Sequence, residues 1–395
     1  MGFAGVVTAI EPYRIAVPDD DVDDLRRRLR AARWPDDGGI GNWSQGVPVA
    51  YLRDLCTYWA DGYDWRPREA RFNRFDQVMA TIDGLPIHVV HARSPHPTAL
   101  PLLLTHGWPC TFVEFIDVIG PLVDPVAYGG DEADAFHVVC PTLPGCGFSA
   151  KPGPGCGVEA EARMWAGLME GLGYDRYGVQ GGDAGSLVST RLAADQPDPV
   201  IGLHLNMVPL MMFRAIAAVR RSRRAAEDAT AADERRALQR AEHYERWDSS
   251  YAKQQWTRPQ TVGYGLTDSP IGQAAWILQC FWAWTDCNGN PDNALTRDQM
   301  LDEISVSWFT ASAASSARFY WELITNSPPD FPTVTVPTGI AVFPEEIIPP
   351  VRAWCEQGYT DIRHWTEMPR GGHFAATEQP ALFTDDLRAF FRPLR

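Results

Sequence analysis

The chain starts without the features that would send it to a membrane or out of the cell. MGFAGVVTAIEPYRI has neither a basic start nor a long apolar run, so it reads as neither a secretory signal nor a membrane anchor. A cytoplasmic protein is expected, and the NWS triplet at Asn42 to Ser44 is taken as a chance sequon. CxxC pairs are missing as well. The eight cysteines are scattered without a paired histidine spacing, which argues against zinc and for reduced thiols. Positive charge is in deficit: 35 Lys and Arg stand against 50 Asp and Glu, and the net charge of −15 argues against nucleic acid or an anionic membrane as partner. The one basic cluster, RRSRR at Arg220 to Arg224, runs straight into AAEDATAADERR and reads as a mixed-charge solvated helix. No internal repeat or low-complexity segment occurs. At 395 residues the chain can hold a large core with an inserted lid.

What is present centres on GVQGGDAGS, Gly178 to Ser186. Its small residues suit a strand that turns sharply into a helix and leaves the central side chain, Asp183, exposed at the turn. Alone, the string is equally a glycine-rich turn with a helix-capping aspartate, and its glycines are out of register for a dinucleotide loop. The surroundings add three further parts. LLLTHGWP, Leu102 to Pro109, is an apolar strand ending in His106, Gly107, Trp108 and Pro109. VPTGIAVFP, Val336 to Pro344, approaches a loop with Glu345 and Glu346, and MPRGGHFAATEQP sets His373 beside two glycines before a terminal helix. Asp, then acid, then His is the chain order of an α/β-hydrolase triad with Asp in the nucleophile's place, and the strand ending at His106 to Pro109 stands at the position from which that fold sends a backbone N–H into its oxyanion hole. A carboxylate nucleophile attacks carbon, which suits opening of a strained ether or displacement of a halide better than acyl transfer.

The coarse pattern predicts an α/β fold, a mostly parallel sheet flanked by helices, in four parts. Residues 1–75 form a mostly helical extension, with a helix from Asp20 to Ala32. Residues 76–210 form the first part of the core, opening on a hairpin that turns at Asp83-Gly84 and including the apolar run FHVVCP at Phe136 to Pro141. Residues 211–293 turn helical and charged, as a cap would, and 294–395 return to βα periodicity and end in a helix from Phe383 to Phe391.

These strings resemble the microsomal-type epoxide hydrolases, a family that includes the juvenile-hormone epoxide hydrolases. The resemblance rests on HGWP (His106 to Pro109), GGDxGS (Gly181 to Ser186), TRPQTVGYGLTDSP (Thr257 to Pro270), RFYWE (Arg318 to Glu322), FPEE (Phe343 to Glu346) and RGGHFAA (Arg370 to Ala376). It covers nearly the whole chain, including the extension ahead of the core. It implies Asp183 as nucleophile, His373 as general base, and Glu346 rather than Glu345 as the acid that orients it. Tyr251 and Tyr320 match the two tyrosines that donate to the epoxide oxygen, and the N–H groups of Trp108 and Ala184 would form the oxyanion hole. The implied reaction makes a vicinal diol from an epoxide and water through an aspartyl ester, with no metal or organic cofactor. The chain departs from the family at Ala184, where a bulky aromatic usually follows the nucleophile. The backbone N–H survives that change, but the pocket wall, of which Trp108 and Ala184 are expected to be part, cannot be the same.

Two alternatives share the fold. A haloalkane dehalogenase would use the same aspartate but has no need of paired phenols; a catalytically silent binding protein would usually have lost the nucleophile or the base. A bulky secondary-metabolite epoxide is the expected substrate class, and a homodimer is compatible with the sequence.

Overall fold

Apolar strands that alternate with amphipathic helices require a sheet covered on both faces. The computed structural model, which describes residues 3–222, 224–326 and 331–395, builds one. The chain begins with β1 (Val7–Tyr13) and three helices, α1 (Asp19–Arg30), α2 (Val49–Asp61) and α3 (Trp65–Phe72). The hairpin β2 (Gln77–Ile82) and β3 (Leu85–Ala92) turns through Asp83 and Gly84, both at positive φ. Then come β4 (Leu100–Thr105), α4 (Ile116–Val123), β5 (Phe136–Pro141), α5 (Val158–Gly171), β6 (Tyr177–Gly181), α6 (Asp183–Asp195) and β7 (Val200–Leu205). Eight α-helices follow among the described residues: α7 (Pro209–Arg221), α8 (Ala225–Asp228), α9 (Ala232–His243), α10 (Ser250–Thr257), α11 (Pro259–Asp268), α12 (Pro270–Trp284), α13 (Arg297–Phe309) and α14 (Ala313–Asn326). The sheet resumes with β8 (Thr338–Val342), and α15 (Arg352–Cys355), β9 (Ile362–Glu367), α16 (Ala375–Glu378) and α17 (Pro380–Phe391) complete the order.

Among the described residues the strands form one sheet in the order β1-β2-β3-β5-β4-β6-β7-β8-β9. The first three strands and the β3–β5 pair are antiparallel; all other pairs are parallel. This is the α/β-hydrolase fold. Thr105 at the end of β4 is in register with Gly181 at the end of β6, so the loops that leave these two strands emerge side by side. Ligand sites of open α/β sheets lie at such carboxyl ends. On one face, α17 and the residues after it pack so closely that a Cβ on Gly178 would stand 2.5 Å from the Phe391 ring, one on Gly339 2.7 Å from the Phe390 ring, and one on Gly202 2.7 Å from Leu394.

The structure differs from the sequence reading in three places. The segment before residue 75 contains β1, a half-exposed edge strand whose Pro12 is tolerated because it has a neighbour on one side only. Beyond 293 the chain stays helical through Asn326. Helix α13 is buried almost all round, with Met300, Leu301, Ile304 and Val306 fully covered, so it lacks the one-sided apolar stripe that marks a helix. The basic cluster is no continuous helix either: α7 ends at Arg221, Arg223 lies outside the described residues, and Arg220 and Arg224 pair with Glu245 and Glu227. No helix among the described residues is long and apolar enough to cross a membrane.

The extension is fastened to α13 by polar groups. Asp302, whose side chain is fully buried, accepts from Tyr63 Oη at 2.8 Å, from Arg68 Nε at 2.7 Å and from Arg71 at 3.3 Å, and Trp59 Nε1 donates to Ser305 Oγ at 2.9 Å one turn on. Removing the acceptor leaves two guanidiniums and a phenol without their shared partner. Asp302→Ala should therefore destabilise the protein by about 3–5 kcal/mol, the usual result of breaking a buried ion pair from one side. Denaturant unfolding monitored by tryptophan fluorescence measures it, and a loss below about 1 kcal/mol would show that the network adds little.

Candidate active site

The site is built on close approach of backbone. A Cβ on Gly107 would lie 2.3 Å from the Asp183 Cβ, and one on Gly185 would lie 1.9 Å from the Thr105 carbonyl oxygen. Only glycine lets the loop after β4 and the first turn of α6 come this near. Asp183 itself has φ 45°, a left-handed conformation that costs a non-glycine residue about 1–3 kcal/mol and that recurs where chemistry needs a side chain held out. Ser186 Oγ donates to the Asp183 carbonyl at 2.6 Å across the strained turn.

Held this way, the Asp183 carboxylate has two different oxygens. Oδ1 accepts the backbone N–H of Trp108 at 2.9 Å, while Oδ2 lies 3.4 Å from Nε2 of His373. The imidazole's other nitrogen, Nδ1, is 2.9 and 3.1 Å from the two oxygens of Glu346. Because those oxygens are carboxylate acceptors, Nδ1 carries a proton. Ile347 N–H donates to Glu346 Oε1 at 2.9 Å, whereas the neighbouring Glu345 turns away to Arg240 at 2.9 Å. Burial works to lower the pKa of His373, but the Glu346 charge and the hydrogen bond and charge of Asp183 outweigh it, and the net shift is well upward. Glu114, also buried nearby, is pushed up to about 8 by burial, with His373 acting against the rise and Asp183 adding to it. It therefore keeps its proton at neutral pH and brings no third negative charge to the site.

The phenols border the same cavity as the carboxylate. Tyr251 stacks on the Trp108 indole at 4.9 Å with an interplanar angle of 5°, and Tyr320 meets the same indole edge-on at 5.6 Å. Their hydroxyls are 3.5 Å apart, and burial holds both well above the ordinary phenol pKa, so both stay neutral donors. Asp183, Ala184, Tyr244, Tyr251 and Tyr320 line one cavity of about 470 Å³. A second cavity of about 510 Å³ shares its wall at Leu187, Phe213, Trp256, Leu323 and Ile324. Among the described residues no group of three or more His, Cys, Asp or Glu side chains is arranged to hold a metal.

All seven residues singled out from the sequence thus meet in one place. Sequence reasoning missed three others and gave a fourth, His106 of the HGWP string, no role of its own. Tyr244 places its hydroxyl 3.2 Å from that of Tyr251, from a π-helical turn seven residues earlier. Trp284 packs between Tyr251 and His373, with ring centroids 5.1 and 5.3 Å away, and its carbonyl accepts the His373 N–H at 2.8 Å. Asn206, at the end of β7, accepts from Gln180 and reaches the His373 carbonyl at 3.4 Å. His106 bonds the Gly107 carbonyl through Nδ1 and accepts Leu143 N–H at Nε2, both at 3.0 Å, which ties the loop after β4 to the loop after β5. Burial lowers its pKa to about 4, so it is neutral. Only the seven-residue spacing of Tyr244 and Tyr251 offered a hint.

Since the Asp183 charge is one of the influences that raise the His373 pKa, taking it away should lower that pKa. Asp183→Asn should shift the His373 titration to lower pH than in the unaltered protein, read by histidine ¹H–¹⁵N NMR. An unchanged or raised pKa would mean that the imidazole does not feel this carboxylate.

Residues 10–115 match the family described as the epoxide hydrolase N terminus, and residues 101–265 match the alpha/beta hydrolase fold. A protein of Stigmatella aurantiaca (strain DW4/3-1), whose name places it among the epoxide hydrolases, is 49% identical over 98% of this chain and 86% of its own length. Epoxide hydrolase 1 of Sus scrofa is 34% identical over 97% of this chain and 88% of its own length. The crystal structure of juvenile hormone epoxide hydrolase from the silkworm Bombyx mori is similar with a TM-score of 0.85 at 29% identity, covering 98% of this chain and 95% of that one. Likeness of this extent, over the extension and the core together, makes the chain a member of the epoxide hydrolase family, in the branch that includes the juvenile hormone enzymes.

Proposed function

We propose that the protein converts an epoxide and water to a vicinal diol through a covalent ester on Asp183. The observation that carries this reading is the Asp183 carboxylate sharing one cavity with two neutral phenols, a charged imidazole behind it. In the first step Oδ2 of Asp183 attacks a ring carbon and the carbon–oxygen bond opposite breaks. The leaving alkoxide is strongly basic, and Tyr251 and Tyr320 supply the proton or hydrogen bonds it needs. Oδ1, already on the Trp108 N–H, becomes the carbonyl oxygen of the ester.

Esterification removes the negative charge of Asp183 and with it part of what held the His373 proton, which passes to the alkoxide or phenolate left by ring opening, so that both tyrosines are again neutral. Neutral His373, oriented by Glu346, then takes a proton from water as that water attacks Cγ of Asp183. The charge that develops on Oδ1 is met by the N–H groups of Trp108 and Ala184. Collapse expels an alkoxide that takes the proton from His373 to become the second hydroxyl of the diol, and the proton left on the water-derived oxygen returns to His373, restoring the carboxylate and the charged imidazole. The division into an extension (1–75), a core (76–210 and 294–395) and a lid (211–293) puts Tyr251 on the lid. Tyr320 belongs to α14, which packs on α10 and α11, so the two phenols stay together.

The substrate we propose is bulky, in keeping with a secondary-metabolite epoxide. Ala184 replaces the large aromatic expected there, and the cavity runs along α6 from Ala184 to Leu187, where the second cavity, which Thr190 and Arg191 also line, adjoins it. Ala184→Trp should therefore cut kcat/KM for multi-ring or long-chain epoxides by about tenfold or more while changing that for a small aryl epoxide by less than about threefold, as expected for steric exclusion from an apolar pocket. Equal losses for both classes would remove Ala184 from substrate selection.

His373→Gln tests the two-step scheme. The variant should still open the ring once, gain the mass of one substrate on the peptide that contains Asp183, and release almost no diol. A correctly folded variant that turns over normally, or one that is never alkylated, would favour direct attack of water on the epoxide.

A further inference from the structure

The loop that carries His373 is held almost entirely through its main chain. Four successive N–H groups each have a partner. Gly371 donates to Asp286 Oδ2 at 3.0 Å, Gly372 to Glu378 Oε2 at 3.0 Å, His373 to the Trp284 carbonyl at 2.8 Å, and Phe374 to Glu378 Oε1 at 3.1 Å. Glu378 Oε2 accepts a third amide, that of Asp286, at 2.9 Å. One carboxylate therefore grips the amides of the residues on both sides of His373 and, through Oε2, that of Asp286, two residues beyond the Trp284 carbonyl that holds the His373 N–H.

Glu378 is 8% exposed, and among the described residues it has no cationic side chain within ion-pair distance. Burial raises its pKa to about 7, and the three amide donors act against that rise. A buried carboxylate without a cation is costly unless its oxygens are well supplied with donors, and here three backbone amides supply them. The loop has no room to compensate by moving: a Cβ on Gly372 would stand 2.5 Å from the Trp284 carbonyl oxygen.

We propose that Glu378 is a positioning residue for His373, fixing the planes of the peptides on either side so that Nε2 points at the Asp183 carboxyl. This rests on the reading that His373 activates water in the second half-reaction. That step needs the imidazole aimed to within a fraction of an ångström, whereas ring opening is the work of Asp183 and the two tyrosines. Loosening the clamp should thus damage one half-reaction and spare the other, a split that a general loss of stability cannot produce.

In Glu378→Gln one carboxylate oxygen becomes an NH₂ that faces an amide donor, so part of the clamp must open while the side chain keeps its shape. Single-turnover quenched flow on the full-length protein with a small aryl epoxide should show ester hydrolysis slowed by about 10- to 100-fold, alkylation of Asp183 within about threefold of the unaltered enzyme, and ester accumulating. Glu378→Asp, which keeps the charge but is shorter, should show the same split to a smaller degree and serves if the glutamine variant does not fold. Equal slowing of both steps, or no slowing of hydrolysis, would overturn the assignment. Amide hydrogen exchange judges the clamp without reference to covalent chemistry: the Gly372 and Phe374 amides should exchange at least about tenfold faster in Glu378→Gln, and unchanged protection there would overturn it. If the unaltered enzyme forms no ester at all, the covalent reading fails while the exchange experiment still decides the role of Glu378.

Discussion

A single imidazole lies between two carboxylates in a place that water hardly reaches, and the rest of the architecture serves to make that arrangement tolerable. Burying Asp183, His373 and Glu346 together is costly unless each oxygen and ring nitrogen finds a partner. The partners are mostly backbone: Trp108 N–H for Asp183, Ile347 N–H for Glu346, and the Trp284 carbonyl for the amide of His373. Backbone donors are fixed by the fold and need no reorganisation when charge moves, which is why they suit a site where charge must pass from one residue to the next. Glu114 keeps its proton, so the balance among Asp183, His373 and Glu346 is two anions against one cation.

That balance also sets the order of events in the proposed reaction. While Asp183 is charged, it helps hold the proton on His373, and the imidazole is a poor base. Neutralising Asp183 as an ester weakens the hold at the moment a base is wanted. Two carboxylates flanking one histidine thereby give a base that becomes competent when its neighbour has been consumed.

The elbow, the loop after β4 and the acid–histidine pair are legible in the sequence because backbone proximity forces a choice of residue. Nothing but glycine fits at Gly107 and Gly185, and such constraint leaves a readable string. Tyr244, Trp284 and Glu378 are not legible for the opposite reason: a tyrosine or tryptophan in a helical insertion looks like core, and a glutamate bonded to nearby amides looks like any helical surface residue. Strand β1 is hidden by its half-exposed pattern and its proline, and α13 by being buried on every side. The hairpin at Asp83-Gly84 is visible because both turn residues take positive φ, which few other pairs accept.

The packing of α17 on the three-strand glycine column has a consequence for the making of the protein. During synthesis the chain emerges from its N-terminal end, and domains complete themselves as their last segments become available. Here the last long helix closes a face of the central sheet, and His373 lies only a few residues ahead of it. A ribosome-bound chain still missing these residues contains Asp183 but neither His373 nor the helix that covers Gly178, Gly202 and Gly339. The covered sheet and the complete triad are therefore reached together, once the segment from His373 to Phe391 has been made.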